Sequence, residues 1–195
     1  MKKTLYVDID DTVKDTERYI RRVMRSNGIS CPKTGTIYSK IGTPEGSIIE
    51  EVLCNHDAIP FKESAKSSLE LLFTEYNVVF YSHYLFQKEK ECKYKLAKLF
   101  KRPIILEEFS DSKSADMSDA YFVDDRHEVL MSSNAERKFE LYSPYMFDMT
   151  HERDKDTLIV DWYSLTNILM GVNLDEYLRR FISSRVPQQR KFSGQ

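Results

Sequence analysis

The stretch Leu5-Tyr6-Val7-Asp8-Ile9-Asp10-Asp11-Thr12 decides the fold of this 195-residue chain. Its first three residues are apolar and predict a short strand, and carboxylates follow at once. Side chains two residues apart on an extended segment point to the same face, so we expect Asp8 and Asp10 to lie together. Open parallel sheets bind their ligands just past the carboxyl ends of the strands. Two like charges held this close repel unless a cation or a shared proton compensates, so the pair predicts a functional site.

The rest of the chain alternates between strand-like and helix-like segments. The continuous apolar run Val78–Tyr81 is typical of a strand buried on both faces. The other predicted elements are strands over 103–106, 120–123 and 138–142 and helices over 62–75, 86–101 and 127–136. This order predicts an α/β fold, a three-layer Rossmann-like parallel sheet with helices on both faces.

A small helical insertion is predicted after the first strand. Residues 16–25 place apolar side chains at helical spacing and end at Asn27-Gly28, and a second short helix is expected over 45–54. We therefore predict an α/β core made of residues 1–13 and 61–195, with residues 14–60 forming a cap over the site.

Composition and charge exclude several classes of protein. The net charge of -2 gives no general attraction to nucleic acid or to anionic membranes, and no segment is apolar over the length that spans a bilayer. The opening residues Met1–Thr4 lack the apolar stretch of a signal peptide. The three cysteines have no metal-ligand spacing, so we expect free thiols in the cytoplasm. An amphipathic helix is predicted over 174–182, and a basic tail over 185–195 is expected to be disordered and solvated, although it could contact phosphates.

Acidic residues at two strand ends point to phosphoryl transfer. As a carboxylate, Asp8 can attack phosphorus as a nucleophile. The side chain of Asp10 is expected not to bind the metal directly, so it can be protonated and can act as general acid and base. Asp124, with Asp8 and a backbone carbonyl, offers hard oxygen ligands to Mg²⁺, while Asp125 can act on the metal or on its bound water. The candidate metal-binding residues are Asp8, Asp10, Asp124 and Asp125.

Other polar residues are candidates for binding the phosphate. Ser82 follows the second strand and Lys113 lies in the loop beyond the third, where both can stabilise charge on the transferred phosphoryl group. Lys93 and Lys95 are alternatives for the lysine, and Thr12 is a further phosphate-binding candidate. Three more side chains are candidates for the substrate pocket, namely Tyr38, His83 and Tyr84.

A structural interpretation stands beside the catalytic one. Residues Asp10 to Thr12 can simply cap the helix that begins near residue 14. The aromatic pocket candidates can equally belong to the core.

The ordered motifs resemble those of the haloacid dehalogenase superfamily of phosphohydrolases. The likeness rests on Asp-x-Asp-x-Thr at 8–12, a strand ending in Ser82, a lysine, and a strand ending in Asp124-Asp125. It covers residues 4–125 in the expected order. This resemblance implies an aspartyl-phosphate intermediate, Mg²⁺ as cofactor, and a small cap after the first motif.

Within the superfamily the chain is similar to the 5'(3')-deoxyribonucleotidases. The likeness rests on Lys113 ahead of Asp124-Asp125-Arg126 and on Asp161-Trp162 before a late helix. The chain departs from that group at Asp11-Thr12, where glycine and an aliphatic residue are usual, and at Ser82-His83-Tyr84, where Thr-Ser-Pro is frequent.

The resemblance implies a phosphatase acting on nucleoside monophosphates. The alternatives are a polynucleotide 3'-phosphatase, another small-metabolite phosphatase of the superfamily, and a non-catalytic binding protein with the same fold. The expected partner is a small phosphorylated substrate, with membranes excluded, nucleic acid disfavoured and a homodimer left open.

Overall fold

A computed structural model describes residues 2–31, 37–144 and 157–171. Within these ranges six parallel strands form one sheet in the order β3-β2-β1-β4-β5-β6. The strands are β1 (Thr4–Val7), β2 (Asn77–Tyr84), β3 (Ile104–Glu108), β4 (Ala120–Asp124), β5 (Arg137–Leu141) and β6 (Thr157–Val160). The helices are α1 (Thr16–Ser26), α2 (Gly46–Cys54), α3 (Ala65–Glu75), α4 (Gln87–Phe100), α5 (His127–Ser132) and α6 (Trp162–Leu169).

Helices cover both faces of the sheet. Side chains of α3, α4 and α6 pack against one face, in a core that includes Leu5, Phe80 and Trp162. Helix α5 and the loop before β4 cover the other face, where Phe122 and Leu130 are buried. Successive strand residues point to opposite faces of the sheet. Because both faces are covered, the central strands carry apolar side chains on both. The three-layer α/β fold predicted from the sequence is confirmed.

The segment between β1 and α3 contains the helical insertion. It holds α1, α2 and two 3₁₀ turns, Tyr38–Lys40 and His56–Ala58. These elements share a hydrophobic cluster of their own, which includes Ile20 and Ile49 and is also contacted by Leu85 from the connection between β2 and α4. Residues 14–60, predicted to form a cap, thus contain helices that pack together and touch the core beside β2.

Two elements differ from the sequence prediction. Strand β6 is not predicted, although Leu158–Val160 form a short apolar run that ends at Asp161, as β1 does before Asp8. Helix α5 ends before the predicted residue 136, because the hydroxyls of Ser132 and Ser133 donate to carbonyls of the preceding turn and Asn134 accepts from the amide of Met117 at 2.8 Å. The predicted helix over 174–182 and the tail over 185–195 lie outside the described residues. Among the helices described, none is long and apolar enough to cross a bilayer.

Candidate active site

The order of the strands brings the first and fourth strand ends together. From β1 the chain crosses to β2 and β3 on one side, and then returns past β1 to β4 on the other. Val7 pairs with Val123, and the amide of Asp8 donates to the carbonyl of Val123 at 2.9 Å. Asp8 and Asp124 therefore leave the sheet side by side, at the position where open α/β sheets bind ligands.

Three buried carboxylates form a compact acidic cluster at this edge. Oxygen atoms of Asp8, Asp124 and Asp125 all lie within 4.8 Å of one another. Burial, with the added charge of Asp8, raises the pKa of Asp124 to about 6, against the opposing effect of a nearby lysine. Burial and neighbouring acids also raise the pKa of Asp125 well above its ordinary value. Buried carboxylate oxygens that repel one another fit a hard divalent cation such as Mg²⁺, which these three residues would hold.

Lys113 lies beneath this cluster and joins two of its members. Its Nζ is 2.8 Å from Asp8 Oδ1 and 2.7 Å from Asp124 Oδ2, and its side chain is fully buried. Burial alone would lower the pKa of Lys113, but the two carboxylates raise it above its ordinary value. The sequence predicts that Lys113 contacts phosphate; in the structure its ammonium contacts these two carboxylates.

Asp10 turns away from the acidic cluster. Its Oδ1 accepts a hydrogen bond from the Thr16 hydroxyl at 2.8 Å and lies 2.9 Å from His56 Nε2, while its Oδ2 pairs with Lys93. Burial disfavours the charged form of Asp10, but Lys93 and His56 outweigh burial and hold its pKa well below the usual range. The Asp10 carboxylate is thus absent from the cluster expected to hold Mg²⁺. Its surroundings favour the ionised form, whereas action as a general acid needs a protonated carboxyl.

The next two residues of the motif have structural contacts. Asp11 adopts a left-handed backbone with φ of 53°, and its Oδ1 accepts from the amide of Glu17 in α1 at 2.9 Å. The capping interpretation therefore fits Asp11, and the positive φ explains why glycine suits this position in related motifs. Thr12, predicted to contact phosphate, is fully buried and its hydroxyl donates to Asp125 at 3.4 Å. The indole of Trp162 donates to the carbonyl of Thr12 at 2.8 Å, which fixes the loop that follows β1.

A cavity of about 410 Å³ opens in front of Asp8, Asp10 and Asp125. This volume lies in the range of small-molecule sites. The predicted phosphate contact Ser82 lies on its wall. The three predicted pocket residues also line it, together with other aromatic, apolar and charged side chains: Tyr38, His83, Tyr84, Leu53, Leu85, Phe109, Asp111 and Arg126.

Two residues at the site carry little signal in the sequence. His56 is buried and contacts Asp10 across 46 residues, and no local pattern distinguishes it from a packing histidine. From the sequence, Lys93 is only an alternative to Lys113. Glu89 precedes it at the i,i+4 spacing of a helical ion pair, in the helix that follows β2. That spacing is the signal that could have identified it. Lys95, the third candidate lysine, is exposed.

The buried acids of the site predict an unusual pH dependence of the free energy of unfolding. The folded pKa values of Asp124, Asp125 and Asp11 are raised, so the folded protein binds more protons than the unfolded chain above about pH 4. Its free energy of unfolding without metal is therefore expected to fall as the pH rises toward about 7, and Mg²⁺ should remove this loss. Melting temperatures measured with Mg²⁺ or with EDTA across this range check the prediction.

The control for this prediction uses two matched variants. Asp124→Asn should weaken both the pH dependence and the Mg²⁺ effect, whereas Asp119→Asn, at an exposed position, should change neither. A metal-free protein that becomes more stable as the pH rises across this range would contradict it.

Comparisons with known proteins show the fold. No family model and no curated protein matches this sequence. A candidate haloacid dehalogenase-type hydrolase from Bacillus subtilis, bound to magnesium, is 10% identical, covering 86% of this chain and 98% of that chain with a TM-score of 0.56. A candidate phosphoglycolate phosphatase from Lactobacillus plantarum is 13% identical over 86% of this chain and 99% of that chain, with a TM-score of 0.55. A candidate beta-phosphoglucomutase from Thermotoga maritima is 14% identical over 89% and 100%, with a TM-score of 0.54. This chain thus has the fold of the haloacid dehalogenase-like hydrolases.

Proposed function

We propose that this protein is a magnesium-dependent phosphomonoesterase of the haloacid dehalogenase superfamily. The observation that carries the proposal is the convergence of Asp8, Asp124 and Asp125 over a buried lysine, beside a cavity of small-molecule size. The solved structures with the same fold add support, since they include hydrolases and a candidate phosphatase, and one of them is bound to magnesium.

The reaction uses the two carboxylates of the first motif in turn. A carboxylate oxygen of Asp8 bonds to phosphorus while the bond to the leaving oxygen breaks, which gives an aspartyl-phosphate. Asp10 gives a proton to the leaving alkoxide, and then takes one from the water that attacks phosphorus and releases phosphate. An entering phosphate brings negative charge toward Asp10 and so favours the protonated form that the first step needs. Bound Mg²⁺ would neutralise charge on the phosphoryl oxygens.

The remaining site residues orient these groups. Lys113 keeps Asp8 and Asp124 together at distances of 2.8 and 2.7 Å from its Nζ. Ser82, on the cavity wall, offers its hydroxyl to a phosphoryl oxygen. Residues 14–60 act as the cap, since Tyr38 and Leu53 of this segment line the cavity opposite the sheet edge.

Nucleoside monophosphates are the substrate class that we propose, with 5'(3')-deoxyribonucleotidase as the activity. The aromatic rings of Tyr38, Tyr84 and Phe109 line the cavity and offer faces on which a nucleobase can stack. The basic tail that would favour a polynucleotide 3'-phosphatase lies outside the described residues, so no described contact favours that alternative.

A phosphate-release screen tests the proposal. Purified protein with Mg²⁺ or EDTA is given deoxynucleoside 5'- and 3'-monophosphates, sugar phosphates, 4-nitrophenyl phosphate and 3'-phosphorylated oligonucleotides. We expect Mg²⁺-dependent release, fastest from nucleoside monophosphates. Fastest release from the oligonucleotides would favour the polynucleotide enzyme, and release from none of them would favour a non-catalytic binding protein.

Removing one aromatic ring tests the stacking. Tyr38→Leu is expected to raise KM for a deoxynucleoside monophosphate about tenfold, because stacking of one base on an aromatic side chain contributes about 1–3 kcal/mol. The KM for a small sugar phosphate should change little. Steady-state kinetics with both substrates check this, and an equal rise in the two KM values would argue against stacking at Tyr38.

A further inference from the structure

Asp8 and Asp10 each have a buried lysine of their own. Lys113 contacts Asp8, and Lys93, which comes from helix α4, contacts Asp10. The sequence offers these lysines as alternatives for one role, but both side chains are almost completely buried and both reach the site. The role of the second lysine is not explained by the mechanism above.

Lys93 connects Asp10 to the end of strand β2. Its Nζ pairs with Asp10 Oδ2 and donates to the carbonyl of His83 at 2.5 Å, with the hydroxyl of Ser82 at 3.4 Å. Ser82 is the proposed phosphate contact. Lys93 thus sets the distance between Asp10, which acts as general acid and base, and the phosphate position at Ser82.

Glu89 is a second partner of this lysine, and both residues line the cavity. Its Oε1 lies 2.6 Å from Lys93 Nζ, one helical turn away. Its Oε2 accepts from the backbone amides of Leu85 at 2.9 Å and Phe86 at 3.3 Å. Contacts thus run from the backbone after β2 through Glu89 to Lys93, and both of these side chains are buried.

The other side-chain contacts of Asp10 come from a different part of the chain. Thr16 begins α1 and His56 lies in the second 3₁₀ turn, so both belong to the inserted segment between β1 and α3. Among the described side-chain contacts of Asp10, those that would remain without Lys93 both come from that segment. The carboxylate would then be drawn away from the phosphate end of the cavity.

We infer that Lys93 is a positioning residue that holds the Asp10 carboxylate beside the leaving-group oxygen of the substrate. The inference rests on the proposed phosphomonoesterase activity and adds a residue to it. The two buried lysines then have separate roles. Lys113 contacts the nucleophile Asp8, and Lys93 positions Asp10, the general acid and base.

The leaving group of the substrate distinguishes this role from a structural one. A 4-nitrophenolate departs readily without a proton, whereas the alkoxide of benzyl phosphate needs one from Asp10. The kcat/KM for each ester reports the steps up to departure of the leaving group. A misplaced Asp10 should therefore affect benzyl phosphate far more than 4-nitrophenyl phosphate.

The experiment measures kcat/KM of both esters, with Mg²⁺, for four variants. Lys93→Met is expected to lower the value for benzyl phosphate about 100-fold and the value for 4-nitrophenyl phosphate less than about tenfold, since general acid catalysis contributes about 10²–10⁴. Lys93→Arg should recover part of the loss. Lys113→Met should lower both values by similar factors, and Lys95→Met, at an exposed position of the same helix, should change neither.

The outcomes separate the inference from the proposed function. A wild-type protein that hydrolyses neither ester would overturn both. An active wild type with equal losses on the two esters in Lys93→Met, or with no loss on either, would overturn the role of Lys93 alone. If Lys93→Met does not fold, the double variant Lys93→Met/Glu89→Gln provides the same comparison, because it removes the unpaired charge of Glu89 and keeps an oxygen for the amides of Leu85 and Phe86.

Discussion

Asp8→Asn is expected to lower the rate of phosphate release by a factor of about 10⁴ or more, because an amide cannot form the bond to phosphorus that the reaction requires. The fold should survive, since asparagine has nearly the same shape and Asp124 still pairs with Lys113 at 2.7 Å. Phosphate release at saturating substrate and circular dichroism of the same samples check both parts.

The matched control is Asp119→Asn, which removes a carboxylate from an exposed position next to β4. It should retain full activity. If Asp8→Asn kept more than about a hundredth of the wild-type rate, the nucleophile would have to be another group.

Lys113→Met is expected to destabilise the metal-free protein by about 3–5 kcal/mol near neutral pH, because it leaves Asp8 and Asp124 buried without their shared cation. The loss should be smaller in acid, where Asp124, whose pKa is raised to about 6, is protonated. Added Mg²⁺ should restore much of the stability, since it brings positive charge to the same carboxylates. Denaturant unfolding at two pH values, with Mg²⁺ or with EDTA, measures all three effects.

Lys95→Met is the control for this prediction as well, because Lys95 is an exposed lysine of α4. Its free energy of unfolding should stay within about 0.5 kcal/mol of the wild-type value. A Lys113→Met protein that is as stable as this control, with and without metal, would show that the Lys113 contacts contribute nothing to stability.

The sequence predicts the sheet and the meeting of Asp8 with Asp124 because both follow from simple geometry. Apolar runs that end in carboxylates define strand ends, and the carboxyl ends of parallel strands meet at one edge of the sheet. The pairing of Val7 with Val123 places the two acids side by side. Tyr38, His83 and Tyr84 line the cavity, and their contact with a substrate stays a prediction.

The details around Asp10 could not be predicted from the sequence. Which way its carboxylate turns depends on His56 and Lys93, which lie 46 and 83 residues further along the chain and reach it only through tertiary packing. The surroundings of Thr12 could not be predicted either, since its backbone carbonyl contacts Trp162, 150 residues further along the chain. Long-range contacts of single side chains leave little periodic signal in a sequence.

The contact between Trp162 and Thr12 gives the protein an optical reporter. Trp162 is the single tryptophan of the chain, and its indole is buried behind the loop that carries the nucleophile. The intrinsic fluorescence of the folded protein therefore comes from one known position next to the reaction centre. Titration with metal or substrate can be followed by that emission without attaching a dye.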